Sequence, residues 1–455
     1  MDKGRFTDSD AIFDYLMRYV NVEKGQATVF KLDRMRSLAS ALGDPQLGRL
    51  TIHVAGSKGK GSVSTMCARI LEASGRRVGI YTSPHLIHWK ERIAFASGPM
   101  EEATLIQAME EILPLIEGKG PADFPGDEEP TFFELTTLLG FCAFRSTGCD
   151  AQVVEVGLGG RLDSTNIVEP DVSAITPIEL EHTQFLGDTI AKIAGEKAGI
   201  IKKDRPVCVS LQKPEAMEVF TDKASASGSR LYAVGREILV SDVSVGPWGT
   251  SCVLLPGPVR SEACLARLLP PGGLRAASPM PGAIQAQNMA LALLASACVL
   301  PDLHPEAVVK GLSKASLPAR FEIIPGEPTV VLDGAHTPES VRLALATMEE
   351  LFPGPRVLLF ACAHDKRHGE MAELLGGKFD KIIITRPGTF KVSEPEKVFE
   401  SFSRVTKAVS LVADTDRALD EALAESRARG ASLLVTGSFY LCAEARRKLV
   451  PRPLA

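Results

Sequence analysis

Residues His53 to Ser62 read HVAGSKGKGS, and whether this stretch is a phosphate loop or an ordinary glycine turn decides the fold. The common nucleotide loop is G-x-x-x-x-G-K-[ST]. With its lysine set on Lys60, Val54 stands where the first glycine belongs and Gly61 where the hydroxyl residue belongs. The surroundings fit better than the spelling. The apolar run LTIHVA precedes the stretch, and Val63, Met66, Cys67, Ile70 and Leu71 follow at helical spacing up to Gly75, a helix-ending residue. A loop between strand and helix presents unpaired backbone N–H groups and the positive end of the helix dipole, which together hold phosphate. Lys60 is then expected to meet the outer phosphates and Ser62 to offer its hydroxyl to magnesium.

Working outward, short apolar runs recur at VGIYT, AQVVEV and VSAIT, separated by the helix-like segments Glu102 to Ile116 and Thr131 to Arg145. That alternation predicts a mostly parallel sheet. In such sheets ligands sit outside the carboxyl ends of strands. VVEVGLGGRLDSTN places Glu155 at one strand end, and VSAITPIELEH places His182 just beyond another. Singly, Glu155 reads equally as a capping or ion-pairing residue and His182 as a surface histidine. Together with the loop they make a phosphate cradle, a carboxylate and an imidazole, which suit a magnesium nucleotide.

Arg230 to Pro281 has short β-like pieces (RLYAV, EILV, CVLLP) among many Pro and Gly residues and reads as a small β subdomain. Alternation resumes at TVVLDG, RVLLFA, KIIIT, AVSLVAD and LLVTGS, candidate parallel strands of a second α/β domain. A boundary falls near Leu317, dividing the chain into residues 1–316 and 317–455.

The 455 residues, 45% hydrophobic and 24% charged, suit a soluble protein of more than one domain. A net charge of -5 spread along the chain gives no basic field for nucleic acid or anionic membrane. The longest apolar run, Met289 to Leu300, is too short to cross a bilayer, and the first residues have no leader-like apolar core, so a cytoplasmic protein is expected. The nine cysteines lack a C-x-x-C pair and read as buried thiols rather than a zinc site or disulfide frame.

These residues resemble the folylpolyglutamate synthase/dihydrofolate synthase branch of the Mur ligase superfamily. Its loop is G-T-N-G-K-G-[ST], so GSKGKGS, Gly56 to Ser62, is that spelling with Ser57 and Lys58 replacing Thr and Asn. E-V-G-x-G-G-R-x-D-x-T-N is met by Glu155 to Asn166, H-x-x-x-L-G by His182 to Gly187, and E-K-A-G-I by Glu196 to Ile200. YTSPHL from Tyr81, Q-x-x-N at Gln285 and Asn288, ARFE from Ala319, LDGAHTP from Leu332 and VTGSFYL from Val435 extend the match over nearly the whole chain.

The resemblance implies a large P-loop ATPase domain with a mostly parallel sheet and small β subdomain, and a smaller Rossmann-like α/β C-terminal domain. It implies ATP-dependent addition of L-glutamate to a folate or dihydropteroate carboxylate through an acyl phosphate, by a monomer with small-molecule partners. Gly56, Ser57, Lys58, Gly59, Lys60, Gly61 and Ser62, with Gln285, Asn288, Arg320, Asp333 and His336, would contact nucleotide, the last three from the smaller domain once it closes. Ser62, Ser83, Glu155, His182 and Lys197 would hold magnesium, in two ions, with room for a monovalent cation such as K+. Lys60, Glu155, His182 and Lys197 would carry the chemistry. On periodicity alone Lys197 joins a buried helix face with its charge escaping outward or paired with an acid; the resemblance implies instead that it is carbamylated. Thr337 in place of Asn, Ile284 in place of His and Arg367 in place of Asp depart from the pattern. They leave open a Mur-type ligase acting on another carboxylate, or a nucleotide-binding relative without turnover.

Overall fold

The computed structural model describes residues 6–20, 32–259, 263–388 and 392–450. The chain separates into two compact units. The first comprises Met1–Ser241, Val253–Ala276 and Gln287–Ala315; the second comprises Asp242–Cys252, Ala277–Ala286 and Ser316–Ala455.

The first unit holds strands β1 (Leu50–Ala55), β2 (Val78–Tyr81), β3 (Ile93–Phe95), β4 (Gly98–Pro99), β5 (Ala151–Glu155), β6 (Val172–Ile175), β7 (Val207–Val209) and β8 (Leu231–Ala233). They form one sheet in the order β4-β3-β2-β5-β1-β6-β7-β8. From β2 to β8 neighbours run parallel, while β3 and β4 turn back antiparallel at one edge. The central strands are buried along nearly their whole length, as parallel strands covered on both faces must be. One apolar core gathers residues of the Ser9–Leu16, Glu102–Ile116 and Phe132–Ser146 helices. Another gathers those of the Ile190–Ala198 and Pro214–Ala226 helices. The Phe132–Ser146 helix starts on a capping box. Thr131 Oγ1 accepts from the Glu134 N–H at 3.2 Å, and Glu134 Oε2 accepts from the Thr131 N–H at 2.8 Å.

Strands β9 (Ile238–Gly246), β10 (Gly249–Pro256) and β11 (Leu274–Ser278) form a three-stranded sheet. The small β region is therefore narrower than the sequence suggested. RLYAV lies outside it, because Leu231–Ala233 pairs with β7 and extends the large sheet.

The second unit contains β12 (Glu322–Ile324), β13 (Val330–Leu332), β14 (Arg356–Phe360), β15 (Lys381–Ile384), β16 (Val409–Leu411) and β17 (Ser432–Thr436), in the order β12-β13-β17-β14-β15-β16. The five expected strands are parallel; β12 adds an antiparallel edge. The protein is thus α/β, with a large mostly parallel sheet and a separate C-terminal α/β unit. Seven of the eight described cysteines are buried and all are free thiols; the Cys264 side chain lies outside the described residues.

His53, in the middle of β1, is fully buried with Nε2 2.9 Å from Thr165 Oγ1. Burial, with the nearby Lys202 charge, pushes its pKa down to about 3. An unfolded histidine protonates near pH ~6.5, so between that value and about 3 the unfolded chain alone binds this proton and the fold loses stability as pH falls. Thermal melts from about pH 7 to about pH 4 should show a shallower acid decline for His53→Gln than for wild type, by up to one proton. An unchanged slope would mean that His53 is not held neutral.

Candidate active site

The loop after β1 leads directly into the Lys60–Ala73 helix, whose N-cap is Gly59 in the left-handed region at φ 86°. A Cβ at Gly59 would also come within 2.8 Å of Asn288 Oδ1, so glycine answers both the backbone bend and the close approach of Asn288. The first-turn N–H groups of an α-helix have no partner inside the helix. Here they sit at the carboxyl end of a central strand, as an anion cradle requires. The Ser57 and Lys58 N–H groups are committed elsewhere: both donate to Pro177 O, at 3.0 and 3.4 Å. Ser57 Oγ also accepts from the Glu179 N–H at 3.0 Å. That leaves the N–H groups of the helix start, Ser62 included, as the donors an anion there could use; Ser62 is buried in the first turn.

Because β2, β5, β1 and β6 are neighbours in that order, the residues following each meet at one edge of the sheet. Glu155 closes β5, is 4% exposed, and its Oε2 accepts from the Ser83 N–H at 3.2 Å, beyond the end of β2. His182 lies beyond β6, exposed, at φ 48° before the short Thr183–Leu186 helix. The 157–166 loop is held by its own motif residues. Asp163 Oδ2 accepts from the Leu158 N–H at 2.8 Å, and Asn166 Nδ2 donates to Arg161 O and Gly199 O at 3.0 and 3.1 Å. At Gly160 a Cβ would press within 2.8 Å of Glu196 O, so the loop packs directly on the helix carrying Lys197.

Lys197 is 2% exposed. Its ammonium donates to Gly56 O at 2.8 Å and to Glu181 Oε1 at 3.1 Å, while Lys60 Nζ donates to the same Gly56 O at 3.0 Å. Lys58 Nζ stands 3.6 Å from Glu181 Oε2. Burial lowers the Lys197 pKa to about 8, against the opposing pull of Glu181. Burial by itself would raise Glu181; the charges of Lys197, Lys60 and Lys58, with His182, outweigh it and hold the carboxyl at about 2. Lys197 thus stays inside and pairs with an acid, and does not send its charge outward. Glu181 escaped the sequence reading, although it adjoins His182.

The donors suit a hard cation carried by phosphate: the Glu155 carboxylate and the Ser62 and Ser83 oxygens are of the right kind. Among the described residues no group of three or more His, Cys, Asp or Glu is placed to hold a metal ion unaided. Oxygens from nucleotide, water or a modified lysine would have to complete the shell.

In the second unit Arg320 lies between Ala319 and Phe321, both at positive φ, 54° and 48°. Such backbone is costly and needs support. Asp333 supplies it: Oδ2 accepts from the Phe321 N–H and Oδ1 from the Ala335 N–H, each at 2.8 Å. Burial raises the Asp333 pKa, with Arg320 opposing. The Arg320 guanidinium sits 4.3 Å from the Phe439 ring centroid, and the His336 ring lies 5.9 Å from that of Phe439. His336 Nδ1 is 2.8 Å from Gly334 O and so must be its donor, leaving Nε2 as the second position. Arg320 and His336 thus both meet Phe439, which the sequence reading quoted in VTGSFYL without singling out, while Asp333 holds the Arg320 loop from beneath. Gln285 is buried in the first turn of the Ile284–Val299 helix.

The departures have local explanations. Thr337 is the N-cap of the Pro338–Leu351 helix, its hydroxyl accepting from the Ser340 N–H, a task threonine performs nearly as well as asparagine. Arg367 pairs on the surface with Glu370 at 3.1 Å. Nothing in the structure explains Ile284.

Family models match twice: the Mur ligase middle domain over residues 54–296 and the Mur ligase glutamate ligase domain over residues 319–439. A folylpolyglutamate synthase of Lacticaseibacillus casei is 33% identical over 426 residues, 92% of this chain and 94% of that protein. A Haloferax volcanii protein described as a bifunctional folylpolyglutamate synthase/dihydropteroate synthase is 35% identical over 429 residues. That match takes in 92% of this chain and 49% of the longer relative, so the chain spans about half of it. The Mycobacterium tuberculosis folylpolyglutamate synthase complexed with ADP superposes with a TM-score of 0.87 at 28% identity, covering 97% of this chain and 98% of that one. The chain therefore belongs to the folylpolyglutamate synthase/dihydrofolate synthase family of Mur ligases and is an ATP-dependent carboxylate–amine ligase.

Proposed function

We propose that this ligase phosphorylates the carboxylate of a folate or dihydropteroate with ATP and joins it to the amine of L-glutamate. The observation that carries the reading is the cradle after β1, where Lys58, Lys60 and Lys197 converge on Gly56 O and Glu181 beside the start of a helix. A carboxylate is a poor electrophile, and phosphorylation gives it a leaving group; the amine then attacks the acyl phosphate and phosphate departs. Phosphoryl transfer asks a protein mainly for positioning and neutralisation of charge. Lys60 and the helix-start N–H groups supply these to the phosphate chain. Magnesium, when bound, would neutralise phosphate charge, held by Ser62, Ser83, Glu155 and His182. Carbamylation of Lys197 would add an oxygen anion and a place for a second ion, with K+ as a further cation.

In this reading residues 1–316 form the ATP-binding domain and 317–455 the ligase domain. Gln285 and Asn288, with Arg320, Asp333 and His336, contact nucleotide. Asp333 acts through the backbone of the Arg320 loop. Small-molecule substrates, a monomeric cytoplasmic enzyme, and no nucleic acid or membrane partner complete it. In support, net charge is -5 and no described helix is long and apolar enough to cross a membrane.

Arg320→Ala and His336→Ala should each raise the KM for ATP by about tenfold or more, the loss of a charge-assisted contact. The melting temperature should fall by a few degrees at most: Asp333 supports the loop from the backbone, and Arg320→Ala gives up its contact with Phe439 and its charge beside Asp333. An unchanged KM would remove both from the nucleotide site. The substrate is tested by ADP release with ATP and glutamate against dihydropteroate, tetrahydrofolate, its diglutamate and a non-folate cell-wall carboxylate. Release stimulated by the pterin acceptors supports the reading. Release stimulated by the cell-wall compound alone overturns it.

A further inference from the structure

Three ammonium groups share one small region of the cradle. Lys60 and Lys197 donate to the same Gly56 carbonyl, and Lys197 and Lys58 face the two oxygens of one Glu181 carboxylate, at 3.1 and 3.6 Å. Glu181 is about 10% exposed at its side chain and Lys58 17%, so water screens them weakly. The pairing is built into the backbone as well. Ser57 and Lys58 donate their N–H groups to Pro177 O, and Ser57 Oγ accepts from the Glu179 N–H, which stitches the loop to the segment ending in Glu181. Other charged or titratable groups facing Glu181 are Lys60 and the neighbouring His182. A phosphate oxygen has the charge and acceptor character of a carboxylate oxygen and would compete for the same ammoniums.

We propose that Glu181 is an internal counter-anion of the cradle: it holds Lys58 and Lys197 while no phosphate is present and yields Lys58 to the phosphate chain, so that it restrains nucleotide affinity. This rests on the cradle being the nucleotide site. Lys58, which stands where the family pattern has asparagine, is then the cation made available when nucleotide arrives, and Glu181 is a positioning residue rather than a catalytic one.

Calorimetric binding of ADP and of inorganic tripolyphosphate, in metal-free buffer, tests this on wild type, Glu181→Gln, Glu181→Asp, Lys58→Gln and the double variant Glu181→Gln/Lys58→Gln. Glu181→Gln should bind tripolyphosphate at least about threefold more tightly than wild type, with a steeper loss of affinity in salt. Glu181→Asp, which withdraws the charge from Lys58 by one methylene, should lie between the two and decides the matter if the glutamine variant does not fold. In the Lys58→Gln background the gain from Glu181→Gln should shrink by at least about half. Equal or weaker binding by the Glu181 variants, as loss of a merely structural contact would give, overturns the proposal, and so does a gain independent of Lys58. Wild type that binds neither probe would refute the nucleotide site itself; wild-type binding without tightening in the variants would refute the role of Glu181 alone.

Discussion

Lys60→Ala should lower kcat/KM by about a hundredfold to a thousandfold, the range that follows removal of one preorganised charge-stabilising donor. Among the described residues the Lys60 ammonium hydrogen-bonds Gly56 O at 3.0 Å, and the side chain is half-buried rather than part of an apolar core. Losing that bond costs about 1 kcal/mol, a melting shift of a few degrees at most. Turnover and stability should therefore separate. Steady-state kinetics beside a thermal melt checks this, and near-normal turnover of Lys60→Ala would sink the phosphate-loop assignment.

Lys197→Ala should have effects of both kinds. It removes a buried ammonium and leaves Glu181, about 10% exposed, without that partner, so a stability loss of up to about 3–5 kcal/mol is expected, less in proportion to how far Glu181 is relieved by Lys58. Activity should fall at least about a hundredfold. Stability loss alone leaves the folded fraction active, and acetate cannot restore a missing fold. Partial recovery of turnover by acetate, with no recovery of the melting temperature, would mark the lost group as an oxygen anion. With a pKa of about 8, a minor fraction of Lys197 is neutral near pH ~7 and free to take up carbon dioxide. A carbamate would be repelled by the Glu181 carboxylate, so modification requires Lys197 to leave that partner. Stripping carbon dioxide should depress wild-type turnover and bicarbonate should restore it. Turnover indifferent to both, with no acetate rescue of Lys197→Ala, would exclude the carbamate.

The strand, loop and helix from Leu50 to Ala73 were legible because each signal is local: an apolar run for a strand buried on both faces, a glycine before the helix, and helical spacing after it. The same holds for the five parallel strands of the second unit. What escaped is short or non-local. β3, β4 and β12 have two or three residues each and run antiparallel at sheet edges, outside the strand–helix alternation that marked the equally short β13 and β16. RLYAV looks like any β piece, and its place beside β7 follows from pairing that no local pattern encodes. Glu181 and Lys58 lie far apart in sequence and meet because β1 and β6 pair in parallel, Ala55 opposite Ile175. Lys197 was legible halfway: periodicity put it on the buried face, but its acid partner comes from the segment beyond β6. Asp163 and Asn166 illustrate the opposite trap, since both belong to a family motif and both spend their visible hydrogen bonds holding a loop.

The chemistry is tested most directly by following oxygen. With the acceptor's reacting carboxylate labelled with heavy oxygen, and ATP and glutamate unlabelled, activation through an acyl phosphate transfers one labelled oxygen to the inorganic phosphate released with each amide bond. Mass spectrometry of that phosphate should show one label per product formed. Unlabelled phosphate released in step with labelled amide would contradict phosphorylation of the carboxylate, and with it the role given to the cradle around Lys60.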